Sequence, residues 1–233
     1  MIPSRPDSDL IRNARAIQDR LRARYSCGVR GREISVKIIG GADAAYSGDT
    51  GIGVIALLSF RDLEPIGHAV AVRKVLFPYV PGLFGFREVP LYLAACEKLG
   101  LLPDLLFVNG HGFSHPRRFG LACHTGSLLG IPTIGMASRL LCGRAALPGP
   151  EQGSSTAVTD NGETIGMSVR TKAGSKPVVI SAGYLTDLPY AVEMTLACLT
   201  GNRLPQPLHA ADKLSRWYLA LLSKNAFYPC YRF

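Results

Sequence analysis

The lengths of the connections between apolar runs constrain this chain most. Residues 34–45, 51–60 and 68–77 are strand-like and are separated only by short segments bearing Gly, Asp and Pro. A parallel crossover needs about a dozen residues or more, so these runs are expected to form an antiparallel meander. The grammar then changes. Val89, Leu93, Cys96 and Leu99 mark a helix ending at Gly100, and Pro103-Asp104 opens a short apolar run over 105–108. A second helix fits 118–129 before Gly130, and 131–136 is apolar again. Strand, helix, strand, helix, strand is the pattern of parallel crossovers. Further on, Asp160-Asn161-Gly162 marks a hairpin turn within 156–170, residues 178–182 read as one more strand, and helices fit 187–200 and 209–223. At the start, Ser8 is a plausible N-cap for an amphipathic helix to about Arg24. Leu10, Ala14, Ile17 and Leu21 form its apolar stripe, expected to cover one side of the sheet.

These readings predict a single α/β domain over residues 1–233, with a mixed sheet and helices on both faces, an order that suits a ribonuclease-H-like architecture. A chain of 233 residues, 47% hydrophobic, buries enough surface to need neither metal nor disulfide for its core, so any metal would serve chemistry. Lys and Arg number 26 against 17 Asp and Glu, a net charge of +9 that favours a polyanionic partner, nucleic acid first. The six cysteines (Cys27, Cys96, Cys123, Cys142, Cys198, Cys230) are scattered without a C-x-x-C pair, which points to idle thiols in a reducing compartment and away from zinc. The first twenty residues lack the apolar core of a signal peptide, and no run approaches the roughly 20 apolar residues of a membrane span. The expectation is a cytoplasmic protein without a membrane partner.

Three segments carry candidate chemistry. Asp43 follows Gly40-Gly41 at the end of an apolar run, although Gly-Gly-Ala-Asp is also ordinary turn composition. In residues 77–88, Pro78 and Pro81 stiffen a loop that displays Tyr79 and delivers Arg87-Glu88 to a helix N-terminus. An aromatic held this way can wedge into a base step or stack on a base; packing onto the core is the other reading. Residues 109–118, Asn-Gly-His-Gly-Phe-Ser-His-Pro-Arg-Arg, stand at the carboxyl end of a buried strand, where ligands bind in open α/β sheets. There Arg117 and Arg118 can grip phosphate and His115 can order a water or a phosphate oxygen.

Together these motifs resemble the endonuclease V family, nucleases that cut strands near deaminated purines, above all inosine. The resemblance rests on Gly-Ala-Asp43 with Tyr46, on PYVPG-x-x-x-FRE from Pro78 to Glu88, and on G-H-G-x-x-HPRR-x-G-x-A from Gly110 to Ala122. Weaker echoes at Pro132-Thr133-Ile134-Gly135, Leu141-Cys142-Gly143, Arg203-Leu204-Pro205 and Ala211-Asp212 extend it over residues 40–212. It implies a ribonuclease-H-like fold and Mg2+-dependent hydrolysis, with Mn2+ as an alternative ion, of the second phosphodiester bond 3′ to the lesion. The implied substrate is DNA with deoxyinosine, or RNA with inosine, bound by a monomer.

By the same resemblance Asp43 and Glu88 are metal-centre acids with Asn109 at the third position, Tyr79 is the strand-separating wedge, and His115 lies near the scissile phosphate. Pro81, Gly82, Arg87, Gly110, His111, Gly112, Arg117, Arg118 and Arg139 are implied nucleic-acid contacts, and Asp212 a peripheral acid. Two positions depart from the family. Asn109 replaces the aspartate of D-G-H-G and brings neither its negative charge nor its second equivalent oxygen. Ser138 stands where many members have lysine, with Arg139 beside it. Asp104 is a poor substitute, because five residues of strand at about 3.3 Å each place it roughly 16 Å from Asn109. An alternative reading is therefore a homologue that binds deaminated-base nucleic acid with impaired or absent hydrolysis.

Overall fold

A computed structural model of the chain describes residues 8–25 and 35–224; Cys27, Cys230 and the expected strand start at residue 34 lie outside the described residues. In chain order the elements are α1 (Ser8–Arg24), β1 (Ile38–Ser47), β2 (Thr50–Ser59), β3 (Pro65–Lys74), α2 (Phe84–Cys96), β4 (Leu105–Asn109), α3 (Leu121–Leu129), β5 (Thr133–Ala137), β6 (Ser155–Asp160), β7 (Glu163–Val169), β8 (Val178–Ala182), α4 (Leu188–Ala197) and α5 (Gln206–Ser223). The strands form one eight-stranded sheet in the order β3-β2-β1-β4-β5-β8-β7-β6. β1, β2 and β3 pair antiparallel as their short connections require, and β1, β4 and β5 pair in parallel. Beyond β5 the sheet turns antiparallel again, because β8 joins β5 from the far side and brings the β6–β7 hairpin with it. That hairpin turns through Asn161 and Gly162, whose φ values of 53° and 81° are the left-handed conformation a two-residue turn demands.

Helices cover both faces. Ala42, Leu106 and Val108 pack with Val89, Tyr92 and Ala95 of α2 and with Leu121 and Ala122 of α3. On the other face Ile39, Phe107 and Ile180 pack with Ala191 and Met194 of α4 and with Leu208 and Ala211 of α5. A Cβ on Gly41 would stand 2.0 Å from the Pro207 carbonyl oxygen, so only glycine lets α5 begin this close to β1. α3 starts at Leu121, three residues later than the sequence suggests, because Arg118 takes φ 52° and no helix passes through that conformation.

α1 corrects an expectation. It packs against α3 instead of covering the sheet, and its buried residues are Ala14 and Gln18, while Leu10 and Ile17 of the expected stripe are each 40% exposed. Its inner neighbours are loop carbonyls, which a glutamine can serve and a leucine cannot. Cys96, Cys123 and Cys198 are buried and Cys142 is half-buried. No helix among the described residues is long and apolar enough to cross a membrane.

Candidate active site

The parallel pairing of β1 with β4 sets Ala42 opposite Val108, so Asp43 and Asn109 are the next pair along the strands. Their side chains meet: the Asn109 amide Nδ2 donates to Asp43 Oδ1 at 2.6 Å. The other carboxylate oxygen, Oδ2, accepts from the Ser215 hydroxyl on α5. Burial raises the Asp43 pKa, opposed by these two hydrogen bonds and reinforced by the negative charge of Asp212. Glu88 lies in the first turns of α2, 8% exposed, and its Oε2 accepts from the Tyr92 hydroxyl at 2.9 Å, one helical turn on. Burial pushes its pKa up to about 7, with the charge of Asp43 adding to the rise. The Tyr46 hydroxyl is buried beside Glu88 without closing a hydrogen bond of ordinary geometry among the described residues.

Glu88 and Asn109 also line a cavity of about 180 Å³ together with Gly82, Gly110, His111 and Leu121. That volume is well below the roughly 300–1,000 Å³ of sites for drug-sized ligands and suits a single small group. Gly112 packs outside the lining, where a Cβ would strike the Ala182 carbonyl oxygen at 2.1 Å. Burial lowers the His111 pKa to about 4, so the ring is neutral at physiological pH, and its buried Nδ1 has no hydrogen-bond partner among the described residues.

The loop bearing Tyr79 is tied at both ends. At its start Arg87 donates through Nη1 to the Phe77 carbonyl at 2.9 Å and lays its guanidinium on the Tyr46 ring, 4.4 Å from the centroid. At its end Gly82, with φ 78°, directs its carbonyl at His115 Nε2 (3.0 Å), Arg117 Nη2 (2.9 Å) and Gln18 Nε2 (3.2 Å). His115 Nδ1 accepts from the Arg117 backbone N–H at 3.1 Å, which leaves the proton on Nε2 to donate to Gly82. Burial, then the neighbouring Arg117 charge, lowers the His115 pKa to about 4. Between these ties Tyr79 is 63% exposed, its ring edge-to-face with Phe84 at 4.9 Å, and Pro81 is exposed beside it.

The structure thus brings Asp43, Glu88 and Asn109 together and sets Gly82, Gly110, His111 and His115 around the adjoining cavity. Several basic candidates are engaged with protein groups. Arg118 is 8% exposed and is held by Asp160 (3.0 Å) and Glu163 (2.7 Å) at the β6–β7 turn and by the His115 carbonyl (2.8 Å). Its guanidinium is committed inside the protein, unlike the phosphate grip expected from the sequence. Arg117 and His115 likewise bond to protein groups at Gly82. Ser138 and Arg139 are exposed just after β5, and Asp212 accepts from Arg216 at 2.7 Å while lying within electrostatic reach of Asp43. Asp104 sits at the opposite end of β4, capping the Lys37 and Ile38 backbone N–H groups at 2.8 and 2.9 Å. Sequence reasoning missed Ser215, Tyr92 and Gln18. The i, i+4 spacing from Glu88 signals Tyr92, whereas no local pattern announces the other two.

Among the described residues no three His, Cys, Asp or Glu side chains are grouped to hold a metal ion, since the third place in this centre is an amide. The donors present are nonetheless all oxygen: two carboxylates and the Asn109 carbonyl. That chemistry fits a hard dication such as Mg2+, with one negative charge fewer than a set of three acids.

An acid on the central parallel strands, Asp43 beside Asn109, with a second acid, Glu88, on the covering helix α2, on a mixed sheet with helices on both faces, matches the ribonuclease-H-like class. The profile of the Endonuclease V family matches residues 20–213. Endonuclease V of Roseiflexus castenholzii is 42% identical over 204 residues, 87% of this chain and 90% of that protein. The crystal structure of Endonuclease V from Streptomyces avermitilis superposes with a TM-score of 0.85 at 38% identity, covering 91% of this chain and 94% of that one. Endonuclease V of Ciona intestinalis, solved in complex with a 24mer DNA containing an inosine followed by a ribo-adenosine, matches at TM-score 0.78 and 25% identity over 93% of this chain and 100% of that one. The chain belongs to the Endonuclease V family and is by that membership classed as an endonuclease, a hydrolase.

Proposed function

We propose that the protein binds nucleic acid carrying a deaminated purine and hydrolyses the second phosphodiester bond 3′ to the lesion. The observation that carries this reading is the junction of Asp43, Asn109 and Glu88 with a base-sized cavity beside the tied loop of Tyr79. The inosine-bearing DNA held by the Ciona relative supports the substrate class. Tyr79 fills the gap left in the strand, and the cavity beside Gly82, Gly110 and His111 receives the extruded base, whose unstacking costs a few kcal/mol. Asp43, Glu88 and the Asn109 carbonyl would hold Mg2+ or Mn2+, with Ser215 and Tyr92 orienting the two carboxylates. When bound, the ion supplies charge neutralisation at the phosphate and a more acidic water. The test is incubation of the purified protein with inosine-bearing and matched inosine-free strands, as DNA and as RNA, with Mg2+, Mn2+ or chelator. Metal-dependent nicking confined to inosine-bearing strands is expected; equal cutting of both overturns the lesion specificity.

A second reading is favoured by one observation, the Asn109 amide donating to Asp43 where the family's aspartate would add charge. On that reading the protein binds deaminated-base strands and cuts them poorly. Asn109→Asp separates the two: a large rescue of cleavage supports the impaired nuclease, and full turnover by the unmodified protein removes it.

A further inference from the structure

We infer that Gln18, on the N-terminal helix α1, is a positioning residue for lesion recognition: it locks the Arg117–His115 clamp onto the Gly82 carbonyl and so fixes the loop that presents Tyr79. The inference rests on the reading of Tyr79 as the element that recognises the lesion.

Gln18 is 2% exposed, and its amide is in full use. Nε2 donates to the Phe119 carbonyl at 2.6 Å and to the Gly82 carbonyl at 3.2 Å, and Oε1 accepts from Arg117 Nε at 2.6 Å. One side chain therefore joins three segments: the end of the tyrosine loop, the basic block after β4, and the entrance to α3. Solvation alone does not call for it. A carbonyl oxygen has two lone pairs, and at Gly82 His115 and Arg117 already supply two donors. What Gln18 adds is direction, because its Oε1 holds Arg117 Nε and turns Nη2 of the same guanidinium toward Gly82. The planar fork of arginine makes that coupling rigid, since fixing one N–H edge fixes the other. Gly82 also lines the cavity and immediately precedes Leu83, the residue flanking α2, which carries Glu88. A shift of the Gly82 carbonyl thus moves the loop of Tyr79, the cavity wall and the start of the acid-bearing helix together.

Two variants test the inference. Gln18→Leu keeps the volume and removes every hydrogen bond. Gln18→Glu keeps an acceptor for Arg117 but cannot donate to Gly82 or Phe119. The first measurement is hydrogen exchange of the Leu83 and Phe86 amides, which close the turn onto Val80 and Leu83 at 3.0 and 3.1 Å. Gln18→Leu is expected to exchange these amides about ten-fold faster while β4 and β5 stay protected, and Gln18→Glu, which keeps the acceptor for Arg117 Nε, to exchange them more slowly than Gln18→Leu. The second is the ratio of dissociation constants for inosine-bearing and inosine-free strands. It is expected to fall about ten-fold toward unity with the salt dependence of binding unchanged, since Gln18 faces no phosphate. Unchanged exchange in folded Gln18→Leu, or equal acceleration in both variants, overturns the clamp through Arg117, and faster exchange with an intact ratio overturns its role in recognition. If the unmodified protein itself shows no inosine preference, the proposed function and this role in recognition fail together. The exchange data then still decide whether the clamp exists.

Discussion

The acid centre and the tyrosine loop adjoin one cavity and are held by opposite means. At the centre, Asp43 and Glu88 are buried against their preference for water, both carboxyls are pushed up in pKa, and an amide stands where a third charge or a cation would settle them. The loop has its end carbonyls met by Arg87, His115, Arg117 and Gln18, and leaves one aromatic ring in solvent. The two regions therefore respond to different perturbations. The centre is electrostatically unfinished and answers to pH, metal and charge substitution. The loop is mechanically finished and answers to loss of hydrogen bonds or of its exposed ring.

The largest expected effect tests the unfinished side. Asp43→Ala removes a carboxylate bonded by two neighbours and should lower cleavage of inosine-bearing strands by about 10²-fold or more, in single-turnover assays, with binding retained. Next, Asn109→Asp should tighten Mn2+ binding at least about ten-fold by calorimetry while destabilising the metal-free protein. It exchanges a hydrogen bond for two facing carboxylates, a cost of about 1–3 kcal/mol in thermal or denaturant unfolding. Unchanged metal affinity would mean that the Asn109 position does not face the cation.

At the loop, Tyr79→Ala removes the exposed ring and leaves the ties in place. Stacking of an aromatic on a base contributes about 1–3 kcal/mol, so inosine discrimination should fall about ten-fold or more, whereas Tm should hold because the ring is exposed. The pH dependence is subtler. Glu88 has a folded-state pKa of about 7, above its ordinary 4.5, so the unfolded chain releases this proton first as pH rises. Stability of the metal-free protein should therefore drop between about pH 4.5 and 7 from this group, and metal affinity should climb through the same range as the cation displaces the proton. Melting curves with chelator and with Mg2+ across that range check the sign, and Glu88→Gln should flatten both trends. The smallest functional effect is expected of Arg118→Gln: about 1–3 kcal/mol of stability lost with the Asp160 and Glu163 contacts, and no change in the salt slope of strand binding. A reduced slope would show that Arg118 reaches the strand.

Much of this was legible before any coordinates. The short links after residues 45 and 60 dictated the β1–β2–β3 meander, and the alternation from 89 to 136 dictated parallel strands; that β1 pairs with β4 and sets Asp43 beside Asn109 came with the fold. Asn161-Gly162 marked its hairpin turn because few other residue pairs adopt left-handed backbone twice in succession. The sequence was less informative where arginines occur together. Arg117 and Arg118 are consecutive and chemically alike, yet one turns to Gly82 and the other to the β6–β7 turn, because φ 52° at Arg118 sends the chain in a new direction. The stripe of α1 misled for a related reason: periodicity shows which face is apolar, and here the inner neighbours are polar carbonyls.

Local periodicity and connection length fixed the order of elements and the class of sheet, because each depends on residues close together in the chain, while the acids were marked by the motifs that resemble the family. Only the tertiary structure decided that Ser215, 172 residues from Asp43, serves that carboxylate and that Gln18, 64 residues from Gly82, serves the tyrosine loop. Hydrogen bonds at such separations are set by how α5 and α1 pack, and packing depends on the shape of the assembled surface, which no short stretch of sequence encodes.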